Sequence, residues 1–353
     1  MNTTRNDPLA AQSHLPVAQD ASRRRLLRYA CASAAVAAVA PLLARSARAQ
    51  EPVKHIRYAH PAPIAHGWQI WGEQFKEAIE KSSGGKITVQ IFPNAQMGNE
   101  RDTAQAVRIG SLEMGAIGVG LMNWVPEMSI TDAPFLWKDR AQCYKAIAGA
   151  FGDDLRKRAI AKGFLLTGWT DLGFRCMTNN KRPINAVKDM QGLKMRVPNS
   201  KAYIAMMQAT GASTVAVDLS ELYLALRQGV ADGQDTPPSV VKSNKYYEVQ
   251  KYVSKTEHIL TTAYTVTNPK FHDGLSADEK TQFAAACTHA DDYLRNYTQK
   301  DEAEAYAFLQ GKGMQVDANV DVESFRVACK PVIDKYPDLF LPELVAMARA
   351  TPA

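Results

Sequence analysis

The sequence has few cysteines, no apolar run long enough to cross a membrane, and little net charge beyond its first residues. Five cysteines in 353 residues do not resemble the framework of a small disulfide-stapled domain. The apolar stretch at residues 29–43 falls short of the roughly 20 residues that span a bilayer, and Arg45 and Arg48 follow it. A disulfide scaffold and a membrane anchor are therefore excluded.

The N-terminal residues predict export from the cytoplasm. Arginines cluster at residues 22–28, directly before the apolar stretch, which is the order of a signal peptide. Ala47 and Ala49 have the spacing that a signal peptidase needs, so we predict a signal peptide at residues 1–49 and a periplasmic mature protein that begins at Gln50. The paired arginines resemble a twin-arginine export signal, and the general secretory route remains the alternative.

Most of the net positive charge of the sequence lies in this leader. The full chain has a formal net charge of +6, and residues 1–49 contain seven arginines and two aspartates, so their removal leaves +1. A net charge this small gives no reason to expect a basic surface that attracts polyanions. We therefore expect no nucleic-acid partner and no direct membrane insertion.

The cysteines suggest neither a metal site nor a clear pairing. Cys31 lies in the leader, which leaves Cys143, Cys176, Cys287 and Cys329 in the mature chain. Their spacings match no metal motif. An oxidising compartment permits a disulfide, but buried thiols are equally compatible with the sequence.

Motifs for catalysis and for cofactors are missing as well. The six histidines of the mature chain include no His-Glu-x-x-His pair, and no serine lies in Gly-x-Ser-x-Gly. Gly115, Gly118 and Gly120 are in the wrong order for a dinucleotide-binding loop, and we interpret them as positions where the backbone turns closely beneath a ligand or a helix. We expect no enzymatic activity, no metal and no cofactor.

Strand-like and helix-like segments alternate along the mature chain, which predicts an α/β fold. Roughly 300 residues exceed one usual core, so we expect two lobes. Predicted strands cover residues 55–59, 87–92, 112–119, 164–169, 192–198, 214–217, 252–254 and 259–267. Predicted helices cover residues 68–82, 99–109, 199–210, 220–228 with Ser220 as N-cap, 237–247, and 276 to about 309. The last would be roughly 45 Å long at 1.5 Å per residue, more than one lobe easily contains.

Two arginines are the main candidates for ligand binding. Arg175 and Arg196 each lie at the end of an apolar strand, where the loops of an α/β sheet form a crevice. The planar fork of a guanidinium matches a carboxylate through two parallel hydrogen bonds. From the residues alone, pairing of each arginine with a surface acid remains the alternative.

Three ordered motifs resemble one protein family. They are Arg-Cys-Met-Thr-Asn-Asn-Lys-Arg-Pro-Ile at 175–184, Gly-Leu-Lys-Met-Arg-Val-Pro-Asn-Ser at 192–200, and Ser-Glu-Leu-Tyr-Leu-Ala-Leu-Arg-Gln-Gly-Val-Ala-Asp-Gly-Gln at 220–234. Together they resemble the substrate-binding proteins of TRAP transporters, over nearly the whole mature chain. The resemblance implies two hinged lobes that close on an organic acid and deliver it to a sodium-coupled permease, without performing a reaction.

The resemblance also implies lobe boundaries and several crossings between the lobes. We expect residues 50–173 plus about 263–302 in lobe I, and residues 174–262 plus about 303–353 in lobe II. An exported enzyme, or a binding protein that serves a membrane sensor, is the alternative class.

By motif position, Arg196 corresponds to the arginine that holds the ligand carboxylate in this family, and Arg175 to a second arginine of the cleft. Thr236 stands where many relatives have asparagine. Gly118 and Leu121 stand where sialic-acid-binding relatives place polar contacts, which argues against such polyhydroxylated ligands.

The remaining expected neighbours of the ligand are apolar, namely Leu219, Leu121 and Val119, with Trp68, Trp124 and Trp169 as either neighbours or core. We therefore expect a small monocarboxylate, either a 2-oxo or a 2-hydroxy acid, with a C4-dicarboxylate as the alternative.

Overall fold

Five strands from distant parts of the chain form the first sheet. The computed structural model describes residues 52–352, and the sheet contains β1 (Lys54–Ala59), β2 (Ile87–Phe92), β3 (Met114–Ile117), β4 (Leu165–Phe174) and β10 (Leu260–Thr267). Their order is β2-β1-β3-β10-β4. Strand β1 is parallel to β2 and β3, whereas β10 is antiparallel to β3 and β4.

Six shorter strands form the second sheet. They are β5 (Cys176–Asn179), β6 (Lys194–Val197), β7 (Ser213–Ala216), β8 (Gly233–Thr236), β9 (Tyr252–Ser254) and β11 (Gln315–Asp317). Their order is β11-β9-β5-β8-β6-β7. Strand β6 is parallel to β7 and β8, so these three strands end at one edge of the sheet.

Eleven α-helices surround the two sheets in the described part of the chain. They are α1 (Gly67–Ser82), α2 (Glu100–Ile109), α3 (Arg140–Ala148), α4 (Ala150–Ala161), α5 (Lys201–Ala209), α6 (Leu222–Arg227), α7 (Pro238–Ser243), α8 (Pro269–Asp273), α9 (Ala277–Gly311), α10 (Val322–Lys335) and α11 (Pro342–Ala350). Short 3-10 turns lie at Val119–Asn123, Pro126–Asp132, Val187–Met190, Leu219–Glu221 and Tyr246–Glu248. The mixed α/β class is thereby confirmed.

Helix α1 shows how the sequence builds the layer on the first sheet. Its buried side chains include Trp71, Phe75 and Ile79, whose spacing places them on one face of a helix. The His66 side chain accepts a hydrogen bond from the Trp68 amide at 3.1 Å and caps the first turn. Helix α1 thus packs against β2 and α9, with its N-terminus fixed.

The chain passes repeatedly between the two sheets. Strands β4 and β5 are separated only by Arg175, and β9 is followed by β10 of the first sheet. Helix α9 packs on α1 and β4 and also on α7 and β11. Ser276 caps this helix in a reciprocal capping box with Glu279, which is why its start was predictable.

The C-terminal helix departs from the predicted lobe boundary. Helix α10 packs on α5 of the second-sheet side, but α11 packs on α3 and α4, and α4 contacts β4 of the first sheet. The prediction placed residues 303–353 together in lobe II. The buried face of α11, with Leu344, Val345 and Ala348, instead covers helices beside the first sheet.

Three predicted elements differ from the structure in detail. Ser220 is not an N-cap, because it lies inside a 3-10 turn that follows Asp218, and α6 begins only at Leu222. The helix predicted at 237–247 ends at Ser243, since Lys245 adopts a left-handed conformation with φ of 57°. The strand predicted at 112–119 covers only Met114–Ile117, because the chain turns at Gly118.

Two further expectations can be compared with the described residues. Cys143, Cys176, Cys287 and Cys329 are buried free thiols, so the structure has the thiol state and not a disulfide. Within residues 52–352, no helix is both long and apolar enough to cross a membrane. The predicted leader and its cleavage site lie outside the described residues.

Candidate ligand-binding cavity

A cavity lies where the parallel strands of both sheets end. About 440 Å³ of space lies between its walls, and this figure includes open solvent. Its walls come from the starts of α1 and α2, from the ends of β3, β6 and β8, and from β4 and β10. The lining residues are His66, Trp68, Glu100, Gly118, Val119, Leu172, Arg175, Arg196, Pro198, Leu219, Thr236, Pro237, Val240, Thr261 and Thr262.

Arg196 brings a buried cation to this cavity. It is the third residue of β6, pairs in register with Val215 and Gln234, and is 2% exposed. Its Nε donates to the Val217 carbonyl oxygen at 2.8 Å, which fixes the plane of the guanidinium. Within the described chain its two terminal nitrogens have no hydrogen-bond partner, and burial lowers the pKa of Arg196. The arrangement leaves one side of the fork available to an anion.

Arg175 is also buried, but its charge is already matched. Its Nε donates to Asp235 Oδ2 at 2.7 Å, Nη2 donates to the Asp235 carbonyl oxygen, and Nη1 donates to Thr261 Oγ1 at 3.2 Å. The guanidinium carbon lies 4.7 Å from the centre of the Tyr203 ring. Burial alone would lower the pKa of Arg175, but Asp235, Tyr203 and Asp132 together outweigh it and the pKa is raised.

The acid of this pair has a second partner in His258. Its Nε2 lies 3.2 Å from Asp235 Oδ2, and its Nδ1 lies 2.8 Å from Thr256 Oγ1. Burial lowers the pKa of His258, so the ring is neutral at neutral pH. Arg175 and Asp235 therefore form a buried pair with no net charge.

Glu100 supplies a fixed carboxylate on the opposite wall. Its Oε2 accepts hydrogen bonds from the amides of Gly118 at 3.0 Å and Gly120 at 2.8 Å. A Cβ at Gly120 would lie 2.6 Å from the Glu100 Cβ, so glycine is required for this approach. Burial raises the pKa of Glu100, and the amide hydrogen bonds oppose that change. The glycines thus cradle a side chain of α2, in agreement with the expected close approach to a helix.

Three buried polar atoms of the lining have no hydrogen-bond partner among the described residues. They are Trp68 Nε1, His66 Nε2 and Thr236 Oγ1. Because His66 Nδ1 accepts from the Trp68 amide, Nε2 carries the proton of the neutral ring. Burial lowers the pKa of His66 to about 3, so this nitrogen is a neutral donor. Unpaired buried donors are costly unless a ligand or water completes them.

Three polar contacts join the two walls of the cleft. Asn99 Nδ2 donates to Asp218 Oδ2 at 2.7 Å, and Asn123 Nδ2 donates to the Asn199 carbonyl oxygen at 3.2 Å. Deeper in the molecule, the Tyr203 hydroxyl donates to Asp132 Oδ2 at 2.6 Å. Each bond joins a residue beside the first sheet to one beside the second.

The structure brings together five of the six residues selected from the sequence. Arg196, Arg175, Thr236, Leu219 and Gly118 all line the cavity, as do Val119 and Trp68. Leu121 does not line it, because its side chain is fully buried in a hydrophobic core that includes residues of both sheets. Trp124 and Trp169 also belong to that core.

Sequence reasoning missed Glu100, His66 and Asp235. Glu100 stands just after the N-cap of α2, and the glycines at 118 and 120 were the signal that something approaches closely there. His66 precedes the start of α1 and reads as an ordinary cap. The pairing of Asp235 with Arg175 joins residues 60 positions apart, and no local pattern indicates it.

Metal binding finds no support in the described residues. No group of three or more histidine, cysteine, aspartate or glutamate side chains in residues 52–352 could hold an ion. The groups that the cavity offers to a ligand are its arginine, its carboxylate and its unpaired donors.

Comparison with known proteins identifies the family. The model of the bacterial extracellular solute-binding protein family 7 matches residues 58–338, which is most of the described chain. This protein belongs to that family. It is 36% identical to a solute-binding protein of Verminephrobacter eiseniae over 74% of this chain and 78% of the relative.

Solved structures of TRAP periplasmic solute-binding proteins have the same fold. One from a Polaromonas species, bound to D-erythronate, is 34% identical with a TM-score of 0.82, over 85% of this chain and 99% of that one. Another from Bordetella bronchispeptica, with density assigned to pantoate, is 31% identical with a TM-score of 0.82, over 85% of this chain and 100% of that one. The two-lobed α/β architecture of this solute-binding protein is thereby confirmed.

Proposed function

We propose that this protein captures a small organic monocarboxylate between its two lobes in the periplasm and delivers it to a TRAP-type membrane permease. Residues 1–49 would direct its export. The protein would bind its ligand and release it unchanged. The observation that carries the proposal is Arg196, a buried guanidinium held by one carbonyl oxygen and open along its terminal nitrogens.

A carboxylate is the anion best suited to this position. Transfer from water into the cleft removes its hydration, so its new partners must offer strong, oriented donors. The bond from Nε to Val217 leaves Nη1 and Nη2 as a preset pair that matches two carboxylate oxygens. Thr236, Leu219 and Gly118 would surround the group held there.

The charge balance of the cavity supports one carboxylate over two. A C4-dicarboxylate would need a second free cation, and Arg175 is the candidate by position. The Asp235 carboxylate already neutralises that arginine. The ligands named for the two solved relatives, D-erythronate and pantoate, are monocarboxylates. We therefore propose a monocarboxylate for this chain, too.

We further propose that the two lobes hinge around this cavity. One lobe would contain the first sheet and the other the second, with Arg175 and residues 255–259 among the crossings. A ligand shifts the open and closed populations only by its different affinity for the two states. A ligand that contacts Arg196 on one side and Glu100 on the other would provide that difference.

The ligand is the first thing to identify. We would purify the mature protein from its native compartment, denature it, and identify released small molecules by mass spectrometry. Each candidate would then be tested by thermal shift with wild-type protein and with Arg196→Ala. The exposed Arg227→Ala in α6 is the matched control.

The proposal expects one organic acid at near-stoichiometric yield, and a thermal shift that disappears in Arg196→Ala but persists in Arg227→Ala. No shift with any member of a broad carboxylate panel would overturn it. Chemical conversion of the acid would reveal the alternative, an exported enzyme. Co-purification with a sensor kinase in place of permease subunits would point to sensing.

A further inference from the structure

We infer that the cavity selects an acid that carries a hydroxyl group near its carboxylate, and that Glu100 makes this selection together with the unpaired donors of His66 and Trp68. This inference rests on the proposed function and goes further, because it names which of the small monocarboxylates fit. It also disfavours 2-oxo acids without a hydroxyl.

Glu100 provides a hydrogen-bond acceptor for the ligand. Both glycine amides bind Oε2 of Glu100, and Oε1 has no hydrogen-bond partner in the described chain. Because Glu100 lines the cavity, this second oxygen can accept a hydrogen bond from a ligand. The two amide bonds fix its position, so it cannot swing away to admit a group that has no proton to donate.

His66 and Trp68 provide a pair of hydrogen-bond donors on the same wall. His66 Nε2–H and Trp68 Nε1–H are buried, neutral and without partners in the described part of the chain. The ring centres of these two residues lie 4.7 Å apart. The six-membered ring of Trp68 also approaches Gly118, where an added Cβ would lie 3.2 Å from Trp68 Cζ2. Two residues with unpaired donors and one with an unpaired acceptor oxygen therefore line the cavity.

A hydroxyl is the simplest group that satisfies both kinds of partner. It donates one hydrogen bond, here to Glu100, and accepts up to two, here from His66 and Trp68. A ketone oxygen could accept from the donors but would leave Glu100 Oε1 unpaired. An unsubstituted carbon chain would leave all three groups unpaired, at a substantial cost for each.

The charges of the cavity favour a ligand with a single carboxylate. Arg196 is opposed by Glu100 across the cavity, and each affects the pKa of the other through space. One ligand carboxylate can pair with Arg196. A second carboxylate on the same ligand would meet the Glu100 carboxyl group and no free cation, because Arg175 is occupied by Asp235. Like charges in a desolvated site repel strongly.

The inference can be tested by calorimetry with acids of matched length. The panel contains acids of three, four and six carbons, each with hydroxyl groups, with a 2-oxo group, or unsubstituted, together with succinate. At four carbons the set is D-erythronate, 2-oxobutanoate and butanoate. We expect a hydroxy acid to bind at least about tenfold more tightly than its oxo and unsubstituted counterparts, the effect of about one hydrogen bond to a charged group.

The variant Glu100→Gln distinguishes a role of Glu100 in ligand selection from a role in stabilising the fold. Glutamine keeps an oxygen for the two glycine amides but replaces the free carboxylate oxygen by an NH2 donor. We expect binding of the hydroxy acid to weaken by roughly tenfold and binding of succinate to strengthen. A structural role alone would weaken both. Glu113→Gln is the control, because Glu113 pairs with Arg57 away from the cavity, and it should leave the preference unchanged.

The outcomes distinguish this inference from the proposed function. Equal binding of the hydroxy, oxo and unsubstituted acids overturns the hydroxyl requirement but leaves capture of monocarboxylates intact. Tightest binding of succinate to the wild type overturns the exclusion of a second charge. Parallel losses for all acids in Glu100→Gln overturn the role of Glu100. No binding across the whole panel overturns both this inference and the capture of small acids.

Discussion

At the scale of single residues, the two buried arginines differ in their partners and not in their exposure. Arg196 and Arg175 are 2% and 3% exposed; Arg196 lies within β6, and Arg175 lies between β4 and β5. Only Arg175 has a carboxylate partner, Asp235. Two arginines that look alike in the sequence therefore have different surroundings, and only Arg196 has terminal nitrogens without a partner in the described chain.

Removal of the open arginine should cost most of the binding. Arg196→Ala leaves the ligand carboxylate desolvated and unpaired, so affinity should fall by about 2 to 5 kcal/mol, or roughly 30- to 4000-fold. Titration calorimetry with the identified acid measures this loss. Arg196→Lys keeps the charge but loses the fork and the bond to Val217, and should also lose at least about tenfold. A lysine variant with unchanged affinity would contradict two-point binding.

Buried neutral histidines should make stability depend on pH. Burial lowers the pKa of His66 from 6.5 to about 3, so the unfolded chain takes up the proton first as the pH falls. The contribution of His66 is thus fully present above pH 6.5 and is lost progressively between pH 6.5 and pH 3. Between pH 7 and pH 5 this one residue should lower the free energy of unfolding by about 2 kcal/mol.

A substitution that preserves the helix cap isolates this effect. His66→Asn keeps an acceptor for the Trp68 amide, because asparagine is a good N-cap, but removes the titration. Urea unfolding of the ligand-free protein at pH 7 and pH 5 should show a smaller loss of stability in this variant. The exposed His289→Asn in α9 is the control, and an identical pH dependence in all three proteins would refute the assignment.

At the scale of elements, the start of α2 has two roles at once. The Asn99 oxygen caps the helix by accepting from the Asp102 amide at 3.0 Å, while its Nδ2 donates across the cleft to Asp218. Cap and closing contact therefore share one side chain. Aspartate would preserve the cap and convert the contact into two facing carboxylates.

Exchange of these two residues tests whether the contact favours the closed cleft. Asn99→Asp should weaken ligand binding by roughly tenfold, because like charges oppose closure, and the effect should shrink at high salt. Asp218→Asn should bind almost normally, since its amide oxygen can still accept from Asn99. The double variant restores a hydrogen bond with exchanged roles and should recover most of the loss. A double variant as weak as Asn99→Asp alone would show that the contact does not act on closure.

The elements also show what the sequence can and cannot predict. Helix α9 was predictable because its capping box and apolar face are local, and β2 because its alternation is local. The start of α6 was not, because Leu219–Glu221 forms a separate 3-10 turn. The pairing of Glu100 with two glycine amides and of Arg175 with Asp235 depends on how distant segments meet, so only their residue types were visible beforehand.

At the scale of the whole molecule, several chain crossings connect the two sheets, and α9 contacts both. A helix of 35 residues that belongs to both sides favours rotation of one lobe against the other over free separation. Small-angle scattering should show a smaller radius of gyration at saturating acid. Arg196→Ala should show no decrease at the same concentration, and an unchanged radius in the wild type would indicate a rigid binder.

The position of the charges also predicts an order of events for the proposed capture. The free cation, Arg196, lies in β6 of the second sheet, and the carboxylate of Glu100 lies in α2, which packs on β3 of the first. An incoming anion should therefore be attracted to one lobe and repelled by the other. Encounter with the Arg196 lobe should therefore come first, at a rate that falls with ionic strength. Closure over the Glu100 wall should follow as a separate, concentration-independent step. Because of the same asymmetry, release should begin with opening at the Glu100 wall, which does not attract the anion.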